Sequence, residues 1–237
     1  GALLAQDRGD DLARMFRLFA RVADGLEPMA KMFMDHAKER GRALLEERRG
    51  QIERARAEQR KPSAAEPELV EGLLALHDRL TEMVKTLFGG HVLFRKALKE
   101  AFQDVVNTDA SADIGNVEML VAYADRALRG AIKLDEAQLE ELLEKLLQLF
   151  IYLSDKDLYS ELYRDALAKR LLQSKSASFE AEKGMIAKMK MQQGAPFTTK
   201  LEGMVNDYNV GEDTEKKFQT HLDALRKSGG ASGGGSG

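Results

Sequence analysis

The chain has no cysteine and no tryptophan in 237 residues, only four prolines, and aromatic residues at 6%. Without cysteine there is no disulfide framework, thiolate zinc site, iron–sulfur ligation or thiol nucleophile. So few aromatics, with no sustained alternation of apolar and polar residues, argue against a β-sandwich or barrel. Of the 20 glycines, six lie between Ser228 and Gly237, and the rest are too sparse for a collagen-like chain. No run approaches the roughly 18 continuous apolar residues of a membrane span. The opening Gly1-Ala2-Leu3-Leu4 lacks the basic lead and long apolar stretch of a signal peptide and reads as a cut end. A dominant charge is missing too: 36 Lys and Arg against 39 Asp and Glu leave -3, without the basic excess of a nucleic-acid binder.

What remains is apolar material at 43% and charge at 32%, enough for a buried core under a solvated surface in one large or two modest domains. The apolar positions recur at helical spacing. Leu12, Met15, Phe16, Phe19, Val22 and Ala23 form a first stripe, with Asp10 or Asp11 as cap and Gly25 as stop. A second helix opens around Pro28, is weakened at Gly41, and grades into a polar Arg-rich stretch ending in a loop between Pro62 and Pro67. Stripes from Leu69 to Leu87, Val92 to Val106 and Val117 to Leu128 follow, separated by Gly89-Gly90 and by a turn over 107–115. Asp135 and Gln138 have capping-box spacing ahead of the apolar face from Leu139 to Leu153. Helices from Leu158 to Leu171 and from Ser178 to Gln193 come next. A short one over Phe197–Asp207 and a last one over Thr214–Leu225 bring the total to roughly ten. The fold class expected is all-α: two tandem antiparallel bundles, 1–130 and 131–227, forming an elongated rod. Residues 228–237 read as a flexible Gly/Ser linker.

A search for chemistry finds none. There is no phosphate-binding GxxxxGK[ST] or GxGxxG. His36, His77, His91 and His221 are too far apart for a helical metal pair and are expected at helix flanks or ends. Asp109, Ser111 and Asp113 begin like a calcium loop, but Ile114 and Leu120 stand where its glycine and glutamate belong, so the segment reads as a turn before a helix. The carboxylate pairs Glu46/Glu47, Glu140/Glu141 and Asp155/Asp157 sit among solvated charges, and Ser154 and Ser178 read as caps. No catalytic, cofactor-binding or metal-binding residue is assigned, and no cofactor is expected. Residues 38–61 carry a local net of +4 and residues 135–148 one of -4. Both read as solvated faces held by pairs such as Glu53 with Arg56 and Glu58 with Arg54, docking on an oppositely charged partner being the alternative. The clusters Met29/Met32/Met34 and Met185/Met189/Met191 read as gap-filling core rather than a promiscuous groove.

Four ordered motifs carry a resemblance. Asp155-Lys156-Asp157 opens a helix with Tyr163. Leu167-Ala168-Lys169-Arg170-Leu171-Leu172 ends that helix. Ser-Ala-Ser at 176–178 follows, and then Phe197-Thr198-Thr199-Lys200-Leu201-Glu202-Gly203-Met204. This run resembles the start of the cullin homology region. Residues 11–29 and 88–102 resemble the third helical repeat of SCF-class cullins of the plant kind, so the resemblance spans about Ala2 to Leu222. It implies a non-catalytic scaffold segment of a cullin-RING ubiquitin ligase, spacing a substrate receptor from a RING and E2 module, in the cytoplasm and nucleus. It implies as partners of the whole family member an adaptor and F-box module, a RING protein, an exchange factor and a deneddylating complex. No nucleic acid and no membrane are expected. Most of those docking sites, and the lysine that accepts the ubiquitin-like modifier, match no segment of this chain.

The sequence also departs from the family pattern. Gln193 and Ala124 stand where the family often has cysteine, and the Leu/Glu/Lys run 139–147 is unusually regular. Both features suit cysteine removal or surface redesign. They support a second reading, an engineered helical scaffold or binding module tethered through its Gly/Ser tail.

Overall fold

The computed structural model describes residues 8–229. The opening Gly1–Leu4 and the Gly/Ser stretch beyond Gly229 lie outside the described residues. Nine α-helices and no strand make up the described part. They are α1 (Gly9–Phe19), α2 (Leu26–Ala57), α3 (Glu68–Thr86), α4 (Val92–Val106), α5 (Asn116–Leu128), α6 (Glu136–Tyr152), α7 (Lys156–Leu172), α8 (Phe179–Gln193) and α9 (Ala195–Gly229).

Three boundaries differ from expectation. First, α1 stops at Phe19, leaving Val22 exposed in a turn. Its start has no side-chain cap, Asp10 and Asp11 lying in its first turn instead. Second, α2 runs unbroken through Gly41 because that glycine is a contact and not a weak point. A Cβ there would lie 2.5 Å from Val105 Cγ2, so its absence lets α2 and α4 approach. Third, the two short helices expected at the C-terminal end are one. Gly211 costs α9 only about 1 kcal/mol relative to alanine, too little to break a helix that has no proline after its first turn.

The ends that sequence chemistry marked are built as such. Gly89 and Gly90 take φ of 56° and 67°, a left-handed turn only glycine enters without strain. Asp135 Oδ1 accepts from Gln138 N (2.8 Å) while Asp135 N donates to Gln138 Oε1 (3.0 Å), completing the box. Ser178 caps α8, and Asp155, not Ser154, caps α7. The 107–115 turn is a cap for α5. Asp109 Oδ1 accepts from Asn116 N (2.7 Å), and the buried Asn116 amide donates to Val106 O and Thr108 O at 3.1 and 2.8 Å.

The Arg-rich half of α2 is less solvated than its composition suggests. Arg48 is buried and bonds Glu66 and, at 2.6 Å, Ser63 O, tying down the loop between the prolines. Arg56 reaches Asp113 and not Glu53, Arg60 rather than Arg54 holds Glu58, and Arg42 holds Asp104. The histidine expectation fails for His77, which lies buried in mid-α3 against Phe102; His36 is half-buried on the flank of α2, and His91 caps α4. Met29, Met185 and Met189 fill the core as expected, whereas Met32 and Met191 are exposed.

One apolar cluster runs from Leu12 to Val205. Near α1 it is a nest of Phe16, Phe33, Phe88 and Phe94, with the last two stacked at 4.0 Å. It does not narrow to polar contact near residue 130. There α6 packs on α3, α4 and α5, and α7 packs on α5.

Candidate functional site

Polar contacts between helices concentrate where the helices before Gly130 meet those after it. The chain crosses there by a tight turn. Gly130 has φ of 69°, and a Cβ on it would lie 3.2 Å from Ala177 Cβ. Beside it Ala177 N donates to Leu128 O at 2.8 Å, joining the loop before α8 to the end of α5. On the other side Asn107 clasps the α6–α7 turn, its amide donating to Tyr152 O (2.8 Å) and accepting from Ser154 N (2.7 Å). His77 Nε2 and Tyr152 Oη are 3.0 Å apart, and Lys145 bonds Asp78 at 2.8 Å, so α3 holds α6 twice.

The centre of the junction is Arg170. Its inward position follows from the stripe Tyr159, Tyr163, Leu167 and Leu171 on the same face of α7, all buried. Glu182 heads the stripe Met185, Ile186 and Met189 of α8, and it too is fully buried. The two meet as a fork. Arg170 Nε donates to Glu182 Oε1 at 2.6 Å and Nη2 donates to Glu182 Oε2 at 2.9 Å. Nη1 reaches across to Asp125 Oδ1 of α5 at 2.6 Å. Arg129 bonds the other oxygen of Asp125 at 2.6 Å, and Ser176 Oγ donates to Glu182 Oε1 at 3.0 Å. The Tyr163 ring lies 5.4 Å from the Arg170 guanidinium carbon.

Burial alone would pull the Arg170 pKa down. The bonds to Glu182, then the charges and the bond to Asp125, outweigh it and leave the guanidinium firmly charged. Burial, followed by the Glu182 charge, pushes the Tyr163 phenol well above its usual range. The cluster is thus an anchor built around a guanidinium that keeps its charge and a phenol that keeps its proton. Its charges are satisfied by one another, so it fixes three helices and presents nothing to a ligand. Among the described residues no group of three or more His, Asp or Glu is arranged to hold a metal ion, and no helix is long and apolar enough to cross a membrane.

The motif residues divide sharply by position. Tyr163, Leu167, Arg170, Leu171 and Thr198 are buried. Lys156, Ala168, Phe197, Glu202, Gly203 and Met204 are half-buried, and Asp155, Asp157, Lys169, Leu172 and Lys200 are exposed, Leu172 at 87%. Phe197 packs on Phe150 (centroids 5.7 Å apart), seating α9 on α6. Glu202 accepts from Thr198 Oγ1 at 2.8 Å and from Lys190 at 3.0 Å, which ties α9 to α8; those bonds hold its carboxyl below the ordinary value. Motif reasoning found Arg170 but not its partners Asp125 and Glu182. The available signal was a charge of each sign standing on an otherwise apolar stripe.

Comparison with known proteins agrees with this architecture. The family model described as the cullin alpha solenoid domain matches residues 1–215. Cullin-1 of Oryza sativa subsp. japonica is 40% identical over 93% of this chain, and Cullin-2 of Arabidopsis thaliana 36% over 93%; in both cases the match covers 30% of the relative. Cullin-4A of Homo sapiens is 32% identical over 96% of the chain and 28% of its own length. The chain therefore spans about 30% of the length of the curated relatives it matches. An all-helical stack with one continuous core, matched over most of its length by the family's own solenoid model, makes this chain a member of the cullin family.

Proposed function

We propose that this chain is a stiff, non-catalytic spacer within the scaffold of a cullin-RING E3 ubiquitin ligase of the SCF class. In this reading it holds a substrate-receptor module at a fixed distance from a RING protein and its E2. The observation that carries it is the junction. Apolar packing continues across residue 130, and Asp125, Arg170 and Glu182, from three helices on its two sides, share one buried ion cluster. A scaffold raises the effective concentration of one bound partner at another only when the link between them is not slack. The adaptor and F-box module, the RING protein, the exchange factor and the deneddylating complex would then act on the longer protein, in the cytoplasm and nucleus. The family relationship supports a scaffold role in a cullin-RING ligase.

The test is to insert a flexible Gly/Ser segment at 131–134 of the longer cullin that contains this stretch, and to follow ubiquitin transfer to a bound substrate. The expected result is a marked fall in transfer with receptor and RING binding unchanged. Undiminished transfer would show that stiffness at this junction is not what the ligase uses.

A further inference from the structure

The turn between α4 and α5 packs Ala110 and Ile114 into the core and turns its polar side toward two arginines of the second half of α2. Ser111, half-buried in that turn, has its Oγ 3.4 Å from Arg56 Nη2, and the same oxygen accepts from Asp113 N at 3.3 Å. Arg56 also bonds the Asp113 carboxylate. Arg49, two turns earlier on α2, donates from Nε to Ala110 O at 3.2 Å, the carbonyl immediately before Ser111, and from Nη1 to Glu46 at 2.6 Å. Around these groups lies an open groove of about 430 Å³ lined by Arg49, Arg56, Ala110 and Ser111 among others. Both arginines are about half exposed in their side chains, so each can swing toward a stronger anion without opening the core. The hydroxyl lies in a surface turn between Asp109 and Asp113, a sequence that suits an acidic-directed protein kinase.

We propose that Ser111 is a phosphorylation site whose phosphate is seated between Arg56 and Arg49. A protein kinase would transfer the γ-phosphoryl group of ATP to Ser111 Oγ. The bond from that phosphorus to the ADP oxygen breaks, a bond to Oγ forms, and the hydroxyl proton leaves to solvent. The product carries about -1.5 to -2 charge and three acceptor oxygens, against the single negative charge of Asp113, the only carboxylate among the described residues that Arg56 bonds in the unmodified turn. Arg56 then exchanges a carboxylate for a phosphate, and Arg49, already anchored on the neighbouring carbonyl, supplies the second fork. The nearby carboxylates Glu53, Asp109 and Asp113 oppose the added charge, and the two guanidinium groups must outweigh them. The consequence is mechanical. The same turn clasps the α6–α7 turn through Asn107 and caps α5 through Asp109. A phosphate bridging it to α2 would therefore tighten the approach to the junction from the α2 side. The anion seat itself does not depend on the spacer reading.

The intact chain is incubated with ATP and an acidic-directed serine kinase, modified residues are mapped by mass spectrometry, and the phosphate is titrated by ³¹P NMR. Phosphate is expected on Ser111 and absent there in Ser111→Ala. Its titration midpoint should lie about one pH unit below the ~6 of a free phosphoserine. It should return toward ~6 in the Arg49→Gln/Arg56→Gln variant, whose exposed substitutions leave the core untouched. The proposal is overturned if Ser111 stays unmodified, or if the midpoint is the same with and without the two arginines.

Discussion

The strongest demand the structure makes is on Glu182. Replacing it with leucine keeps the volume and leaves the apolar stripe of α8 uninterrupted, yet it strips Arg170 of its bidentate partner. Arg170 cannot shed its charge, and its side chain is 0% exposed. It would keep one bond to Asp125, which already serves Arg129, and the ring of Tyr163. Removing one member of a buried pair in this way typically costs about 3–5 kcal/mol, because a charge is left buried without compensation. For a chain of this size each kcal/mol moves the melting temperature by ~2–4 °C, so Glu182→Leu should melt about 6–20 °C below the parent. The informative control is Arg170→Met/Glu182→Leu. With both charges gone the desolvation cost goes too, and Asp125 keeps Arg129, so the double variant should recover most of the loss. Circular dichroism melts of the parent, both single variants and the double variant provide the cycle. A Glu182→Leu protein that melts within about 2 °C of the parent, or a double variant no better than the single, would show that the cluster is solvated or slack, and the account of the junction would fall.

Two further perturbations address its flanks. Leu146 is 2% exposed on α6, so Leu146→Asp buries a carboxylate without a partner and should cost several kcal/mol; a urea midpoint equal to the parent's would mean that the inward face of α6 has been assigned wrongly. Burial lowers the pKa of His77 from 6.5, the Asp78 charge acting in the opposite direction. The folded state therefore favours neutral His77: the stability this contributes is complete above the ordinary value and is lost as pH falls below it. Lowering the pH from about 7.5 to about 5.5 should reduce the urea midpoint, and His77→Gln should lessen that dependence while keeping a hydrogen-bonding group for Tyr152; an unaltered pH profile in the variant would place the titration elsewhere.

Helix periodicity and end chemistry made most of this fold readable. The Gly89-Gly90 stop, the Asp135/Gln138 box and the Ser178 cap are local signals, each settled by residues within a turn of one another. The errors arose where a distant contact decides. Gly41 looks like a flaw until Val105, far along the chain, arrives against it. The second half of α2 looks solvated until Glu66 and Ser63 fold back over Arg48. His77 looks like a surface residue because its neighbour in sequence is Asp78, whereas its neighbours in space are Phe102 and Tyr152. The break expected between Asp207 and Thr214 is absent for the opposite reason: nothing in that stretch, Gly211 included, forbids a helix.

The junction cluster was half legible, and the missing half explains why a charged cluster belongs there. Apolar contact across residue 130 is indifferent to small rotations of α7 against α5, since one leucine surface is as good as the next within a fraction of a turn. A guanidinium is not indifferent. Its donors leave in fixed directions, and here they must meet a carboxylate on α8 and another on α5 at 2.6 Å. A rotation that apolar packing would tolerate breaks one of these bonds and strands a buried charge. The core supplies adhesion between the helices on either side, and Arg170 supplies the angle. A spacer that must deliver one end at a fixed orientation to the other depends on the second more than the first.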